Sequence, residues 1–364
     1  MKKLALLLLF NLSVFFLHAQ NGLENVIVET YYISDANDTL ANLDGGVLPV
    51  GSVTYRIYAD LLPGYKFQAG YGVPGHECRF ETSTLFFNNE DRGNTTPIYT
   101  KAQSDDNTVM LDSWLSVGAA CSGYFGILKS EDDGVNTNVN SYSPQILQNN
   151  DALAGIPVSV QDGLIQIAGR TPEPVTEVGI STPIEVFNNQ NDGTNGPVFS
   201  TDNGSWASLN GSVGPDSATN KVLIAQITTD GVFSFKINIQ IGTPTGGVEN
   251  YVAENPVGNE IQEPFMIYPN TSGLTGNSPE IPLFVIFPNP ANDELRLKVI
   301  ASENSSNNSY SIYDINGKMV MHKELGSATT SFLEQINLSE LVSGQYIIQL
   351  ISNNTTASKK FIKF

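Results

Sequence analysis

Val222-Leu223-Ile224-Ala225-Gln226-Ile227-Thr228, then Thr229-Asp230-Gly231, then Val232-Phe233-Ser234-Phe235-Lys236-Ile237-Asn238-Ile239-Gln240-Ile241 decide the fold class. Two β-branched and aromatic runs flank a three-residue turn ending in Gly, which accepts the positive φ of a hairpin turn. The same signature recurs outward in both directions. Val26-Ile27-Val28-Glu29-Thr30-Tyr31-Tyr32-Ile33 is β-branched and aromatic. In Val53-Thr54-Tyr55-Arg56-Ile57-Tyr58-Ala59-Asp60 charged residues alternate with apolar ones, the pattern of a half-buried strand. No stretch sustains a helical period over three turns without Gly, Pro or Asn. The 36 Asn outnumber Lys and Arg together by two to one, so the polar surface is neutral and turn-rich. These features predict an all-β chain: a large, jelly-roll-like β-sandwich passenger followed by a small antiparallel β-sandwich.

Met1 to Ala19 has the order of a secretory signal. Lys2 and Lys3 precede the apolar run Leu4 to Leu17, and Leu17-His18-Ala19 approximates a small-residue cleavage pattern between Ala19 and Gln20. The run is short for a bilayer, so cleavage is expected over an N-terminal anchor, and no membrane span is expected in the mature chain. Export permits a disulfide between Cys78 and Cys121; the other reading is two small buried hydrophobes.

Asn270 to Pro282 is too polar and Gly/Pro-rich to bury apolar area, and it divides the chain. The boundaries are a signal at 1–19, a passenger at 20–269, a linker at 270–282 and a C-terminal domain at 283–364. A further split of the passenger near Thr171-Pro172-Glu173-Pro174 is the alternative. Charge follows the cut: 283–364 is neutral, whereas 20–282 holds 9 basic and 30 acidic residues, a net of −21. So acidic a passenger excludes nucleic acid, whose phosphates need Lys and Arg, and favours cationic partners.

The C-terminal residues carry an ordered set of motifs. Phe284-Val285-Ile286-Phe287 enters Pro288-Asn289-Pro290, and Tyr310-Ser311-Ile312-Tyr313-Asp314-Ile315 turns at Asn316-Gly317, a pair suited to a two-residue type I′ turn. Leu341-Val342-Ser343-Gly344-Gln345-Tyr346 opens another strand, and the chain ends Lys359-Lys360-Phe361-Ile362-Lys363-Phe364. This order resembles the type A sorting domain of the type IX secretion system of Bacteroidota. The resemblance implies a small β-sandwich that takes folded cargo across the outer membrane, with the secretion machinery and its cell-surface sortase as partners. It places Pro288, Asn289, Pro290, Gly317, Gly344, Lys359 and Lys360 in the sorting signal. The expected destination is the outer surface or the medium, by way of the periplasm. Segments around Leu61-Leu62-Pro63-Gly64, Phe86-Phe87-Asn88-Asn89 and Trp114 resemble an uncharacterised family of secreted Bacteroidota proteins, which implies no activity.

The passenger offers weaker site signals. Asp35, Asn37, Asp38, Asn42 and Asp44, Glu131-Asp132-Asp133-Gly134, and Asn188-x-Gln190-x-Asp192-Gly193 echo the oxygen-rich loops of calcium sites without a complete ligand pattern. The metal is left unassigned, and no cofactor beyond calcium enters the reading. Trp114 and Trp206 sit beside Gly and Ser, where an exposed ring stacks on a sugar; the other reading is two core anchors. His76, in Pro74-Gly75-His76-Glu77-Cys78, reads as a solvent-facing loop residue, and no nucleophile elbow accompanies it. Asp38-Thr39-Leu40 and Asp216-Ser217-Ala218 resemble the acceptor triplet of Bacteroidota O-glycosylation. The passenger is therefore read as a binding or adhesion module rather than an enzyme. A polysaccharide hydrolase using paired carboxylates and a structural surface-coat protein are the alternatives.

Overall fold

The computed structural model describes residues 21–41, 44–135, 137, 146–149, 154–189, 194–269, 283–287, 291–300, 305–315, 317–328, 332–352 and 355–364. The cleavage residues Ala19 and Gln20, the linker 270–282 and Pro288, Asn289 and Pro290 lie outside them. Strand takes 47% of the chain and helix 7%, so the all-β expectation holds and the architecture is a sandwich.

One four-stranded sheet organises the passenger. Its antiparallel order is Leu23–Ile33, Val53–Leu61, Lys221–Thr229 and Trp114–Leu115. Val53, Tyr55, Ile57, Ala59 and Leu61 point into one core, shared with two further sheets. The first contains Val198–Thr201, Cys78–Thr82, Phe233–Lys236 and Ile267–Tyr268. The second runs Ile261–Gln262, Val248–Val252, Ile239–Gly242, Lys66–Gly72, Gly204–Ser212 and Thr176–Val178.

The sequence expectation of a half-buried Val53–Leu61 strand is wrong, because its other face is covered too. Short 3-10 turns at Gln103–Asp105, Val109–Leu111 and Lys129–Glu131 lie across it, with a small sheet of Ala119–Cys121, Tyr124–Gly126 and Leu164–Ile165. They close a second core around Tyr31, Tyr58, Trp114 and Leu223. Arg56 is consequently 0% exposed. Its guanidinium lies 3.6 Å over the Tyr31 ring, its Nε donates to Gln226 Oε1 at 2.8 Å, and its Nη1 donates to the Gly163 carbonyl at 3.1 Å. Nη2 finds no hydrogen-bond partner, so the buried cation rests on these two bonds and the ring face.

Thr229-Asp230-Gly231 is not a hairpin turn. The strands it joins lie in different sheets, so the chain crosses from one layer to another. Gly231 serves close approach rather than positive φ: a Cβ there would sit 2.5 Å from Thr82 Oγ1 and Thr84 Oγ1. Val232 to Ile241 is likewise broken between Phe233–Lys236 and Ile239–Gly242, which belong to separate sheets.

Both Trp rings are core. Trp114 and Trp206 are 0% exposed, which corrects the reading of either as a sugar platform. Gly70 makes the room: a Cβ there would fall 2.2 Å from the Trp206 ring, which also meets Phe80 and Phe199 at 6.0 and 6.1 Å. Cys78 and Cys121 are free thiols in different cores, so the disulfide reading is corrected as well. Burial pushes both thiols up to about 12, leaving them inert.

In the tail, Leu283–Phe287, Glu294–Ile300 and Phe332–Asn337 form one antiparallel sheet. Met319–Ala328, Ser305–Asp314, Gly344–Ser352 and Thr355–Lys363 form the other. Phe284, Ile286, Leu297, Ile312, Ile348 and Phe361 belong to a core made of tail residues alone. The Asn-Gly turn differs from expectation. Asp314 N–H bonds the Lys318 carbonyl, so three residues intervene rather than two, and Gly317 takes φ +80° while donating to Asp314. That is the loop length served by an αL glycine and a bulge.

Candidate functional site

Three passes of the passenger switch between the same pair of sheets at nearly the same level. Lys66–Gly72 leads to Cys78–Thr82, Val198–Thr201 to Gly204–Ser212, and Phe233–Lys236 to Ile239–Gly242. Their bends surround a cleft of about 520 Å3 lined by His76, Glu77, Ser200, Asp202, Lys236 and Glu254, among others.

Asn238 fixes its floor. It is 1% exposed, and its amide donates to the carbonyls of Tyr71 and His76 at 3.0 Å and of Glu77 at 3.3 Å. Its Oδ1 receives the Ala253 N–H at 3.0 Å. One side chain thus ties two bends and the strand Val248–Val252 together, and its polar atoms are satisfied inside the sandwich.

The charges around the cleft are largely paired. Lys236 Nζ meets Glu254 Oε1 at 2.8 Å, and Arg79 meets Glu81 at 2.8 Å and Glu77 at 3.4 Å. Ser200 Oγ donates to Glu77. Asp202 stands exposed on the bend after Thr201. The cleft therefore presents hydroxyl, carboxylate and ammonium groups, and among the residues that line it there is no Phe, Tyr or Trp ring.

His76 corrects the solvent-facing expectation. It is 8% exposed, held in a tight turn by paired backbone bonds with Val73 at 2.8 and 3.1 Å. Its Nδ1 meets the Glu254 carbonyl at 3.0 Å and its Nε2 meets Glu260 Oε2 at 3.0 Å. Both ring nitrogens are engaged by protein oxygens, so neither is available as a general base. Sequence reasoning missed Ser200, Asp202, Lys236 and Asn238. The signal for the last was an Asn inside an otherwise β-branched and aromatic run.

The expected calcium loops are satisfied by their own surroundings. Asp35 accepts the amides of Asn37 and Asp38, and Asp38 accepts those of Asp35 and Leu147. Asp132 accepts those of Gly134 and Gly163. Among the described residues no group of three His, Cys, Asp or Glu side chains converges to hold a metal. Residues 190–193 of the third loop lie outside the described set.

A second site occupies one end of the tail. Register places Asp314 opposite Tyr346, and Gly344 opposite Lys363. Ala291, next after Pro290, bonds back to the terminus: its N–H donates to Ile362 and its carbonyl receives the Phe364 N–H at 2.9 Å. The turn at Gly317, the strand start at Gly344, Ala291 and the C-terminus therefore meet at one end. That end is apolar, with Ile315, Val342 and Phe364 exposed by 72, 78 and 65%. Lys359 and Lys360 are not part of it. They pair with Ile348 and Ile347 midway along the edge strand, and alternation sends them to opposite faces. Lys359 lies 5.8 Å over the Phe284 ring and burial lowers its pKa, whereas Lys360 is exposed.

No curated protein matches the chain. Among solved structures, dimeric latent PorU from Porphyromonas gingivalis matches at 13% identity and a TM-score of 0.23, covering 40% of this chain and 14% of that one. The BSP domain of a biofilm associated protein matches at 9% identity and a TM-score of 0.18, covering 93% of this chain and 52% of that one. The chain spans less than two thirds of either, and neither likeness bears on the fold. Residues 285–364 match the family described as the secretion system C-terminal sorting domain. Over those residues, the chain carries a type IX secretion sorting domain, which assigns it to export toward the cell surface or the extracellular space.

Proposed function

We propose that this protein is a type IX cargo whose passenger is a binding module working through the cleft at the sheet-switching bends. One observation carries the reading: three bends, pinned by Asn238, hold a mixed set of hydrogen-bonding groups rigidly around a hollow of about 520 Å3. Preorganised polar groups suit a hydroxyl-rich ligand, because little ordering cost is left at binding. A glycan is the ligand class favoured, bound by hydrogen bonds rather than ring stacking. Binding is favoured over catalysis because the thiols are buried and the His76 ring is engaged on both nitrogens; turnover of a polysaccharide by carboxylates such as Glu77 or Asp202 would overturn that preference. A glycan array with the full chain should give a retained species that Asp202→Ala or Lys236→Ala abolishes without changing the melting temperature. Cleft variants that bind like the native chain would overturn the assignment.

For the tail, the turn-rich apolar end is the surface that the secretion machinery reads. The N-terminal signal brings the chain into the periplasm before outer-membrane export, and surface retention or release follows. Val342→Asp with Phe364→Asp lies outside the tail core, so the variant should fold yet accumulate in the periplasm. Normal export of that variant would move the recognition surface elsewhere on the tail.

A further inference from the structure

Residues 254–260 form a strap from the end of Val248–Val252 to Ile261–Gln262, two strands that pair in parallel. Glu254, at its start, belongs to the wall of the cleft. The His76 ring bridges the two ends of this strap, through the Glu254 carbonyl at 3.0 Å and the Glu260 carboxylate at 3.0 Å. The same Glu260 Oε2 receives the Val257 N–H at 2.8 Å, and the Glu260 N–H donates to Val257 at 3.2 Å. The rest of the strap, Asn255 to Asn259, is exposed, with Asn255 and Gly258 in the left-handed region at φ +54° and +63°. Few contacts besides the ring therefore hold its shape.

A carbonyl only accepts, and so does an ionised carboxylate. A neutral imidazole has one N–H and can serve one of them; the imidazolium serves both. We infer that His76 and Glu260 form a proton-dependent latch that closes the 254–260 strap against the cleft when the ring carries its second proton and frees it when that proton leaves. When it goes, the remaining proton stays on Nε2 against the Glu260 carboxylate, the stronger acceptor, so a lone pair on Nδ1 faces the Glu254 carbonyl and the start of the strap is released.

The surrounding charges do not substitute for that proton. On the strap, the Glu254 carboxylate is taken by Lys236 from the neighbouring strand. On the His76 bend, Glu77 is taken by Arg79 and Ser200. Asp202, on the bend between Thr201 and Gly204, adds only negative charge to the cleft. Tyr71 and Cys78, the titratable groups beside the bend, are pushed up to about 12 by burial and stay neutral. The latch deepens the binding reading, since opening it releases the wall that carries Glu254.

The test is made on the ligand-free full chain, so it stands apart from any glycan result. The chain holds three His, and His18→Gln with His322→Gln leaves His76 as the sole imidazole. Ring nitrogen NMR should show both nitrogens protonated at pH 5.5 and one at pH 8. Amide exchange at Val257 and Glu260, corrected for intrinsic rates, should be about tenfold faster at pH 8, a factor equivalent to ~1.4 kcal/mol. Glu260→Gln removes the negative charge and supplies a donor to the neutral ring, so its exchange should no longer depend on pH. Equal corrected exchange at both pH values, unchanged pH dependence in Glu260→Gln, or a neutral ring at pH 5.5 would each overturn the latch. A latch that behaves as expected beside a blank glycan array would overturn the ligand reading alone.

Discussion

Arg56→Met tests the passenger's layered architecture. Arg56 is one of two buried cations over the Tyr31 ring, the other being Lys129, and its loss removes three things together. The contact with the Tyr31 ring goes, and in a desolvated site such contacts are worth about 2 kcal/mol. The Gln226 Oε1 and Gly163 carbonyl oxygens lose their donors, at about 1–3 kcal/mol for each acceptor left buried. Glu29 loses its largest favourable charge partner; burial already pushes this carboxyl up, and Arg56 is the first influence pulling it back. These losses overlap, so the expected cost is about 4 kcal/mol, within the range for stripping one member from a buried charge network. Urea unfolding of the full chain, followed by tryptophan fluorescence, measures it, since Trp114 lies in the same core. Adding Glu29→Gln should recover part of the loss, because the stranded carboxylate is then gone. A cost below about 1 kcal/mol, or a double variant less stable than Arg56→Met, would refute the claim that Arg56 clamps the covering segment to the sheet.

Two further outcomes follow from burial. Trp206→Ala should cost about 3–5 kcal/mol, and Trp114→Ala a similar amount, in melting or urea curves; retention of full stability would reinstate an exposed ring. Stability should also fall as pH rises from about 4 to 7, because the Asp38 carboxyl is raised from 3.8 to about 6 by burial. A raised folded value contributes stability that is complete below the unfolded pKa and lost through the folded one, about 3 kcal/mol here. Burial shifts Glu29 and Asp112 in the same direction. Urea midpoints at pH 4.5 and 7.5 should therefore differ, and Asp38→Asn should flatten the difference; an undiminished slope in that variant would remove Asp38 as its source.

The tail was legible because its information is local. Asn316-Gly317 marks a turn, alternation marks Leu295 to Val299, and Gly344-x-Tyr346 begins a strand whose Tyr stacks on Phe361 at 5.5 Å. Even there the loop length was misjudged, since Asn-Gly also serves the three-residue turn. The passenger was legible only to the level of strands. Arg56 looked like a surface residue because its cover, residues around 99–165, has little period of its own. The partners that bury it, Gly163 and Gln226, lie 107 and 170 residues away in sequence. Thr229-Asp230-Gly231 carries a hairpin signature, but only packing shows that the strands on either side enter different sheets. The cleft was invisible for the same reason: its bends are far apart along the chain, and Asn238 is the single residue whose chemistry hinted at them.

The two ends of the molecule rely on different physics, and under the proposed reading this separates transport from binding. The surface proposed for recognition of the tail carries Ile315, Val342 and Phe364 on a domain with no net charge, so contacts made there would be apolar and weakly sensitive to salt. The cleft is polar and sits on a passenger with a net charge of −21, so its contacts respond to ionic strength and to the ligand's charge. A substitution in the cleft leaves the apolar end untouched, and one at the apolar end leaves Asn238 and its bends in place. Under the proposed binding role, the passenger is free to change its ligand without losing its route. The converse is the last expectation: moving residues 283–364 onto an unrelated folded chain should transfer the address alone, because among the described residues neither sheet of the tail takes a strand from the passenger; a fusion retained in the periplasm would refute it.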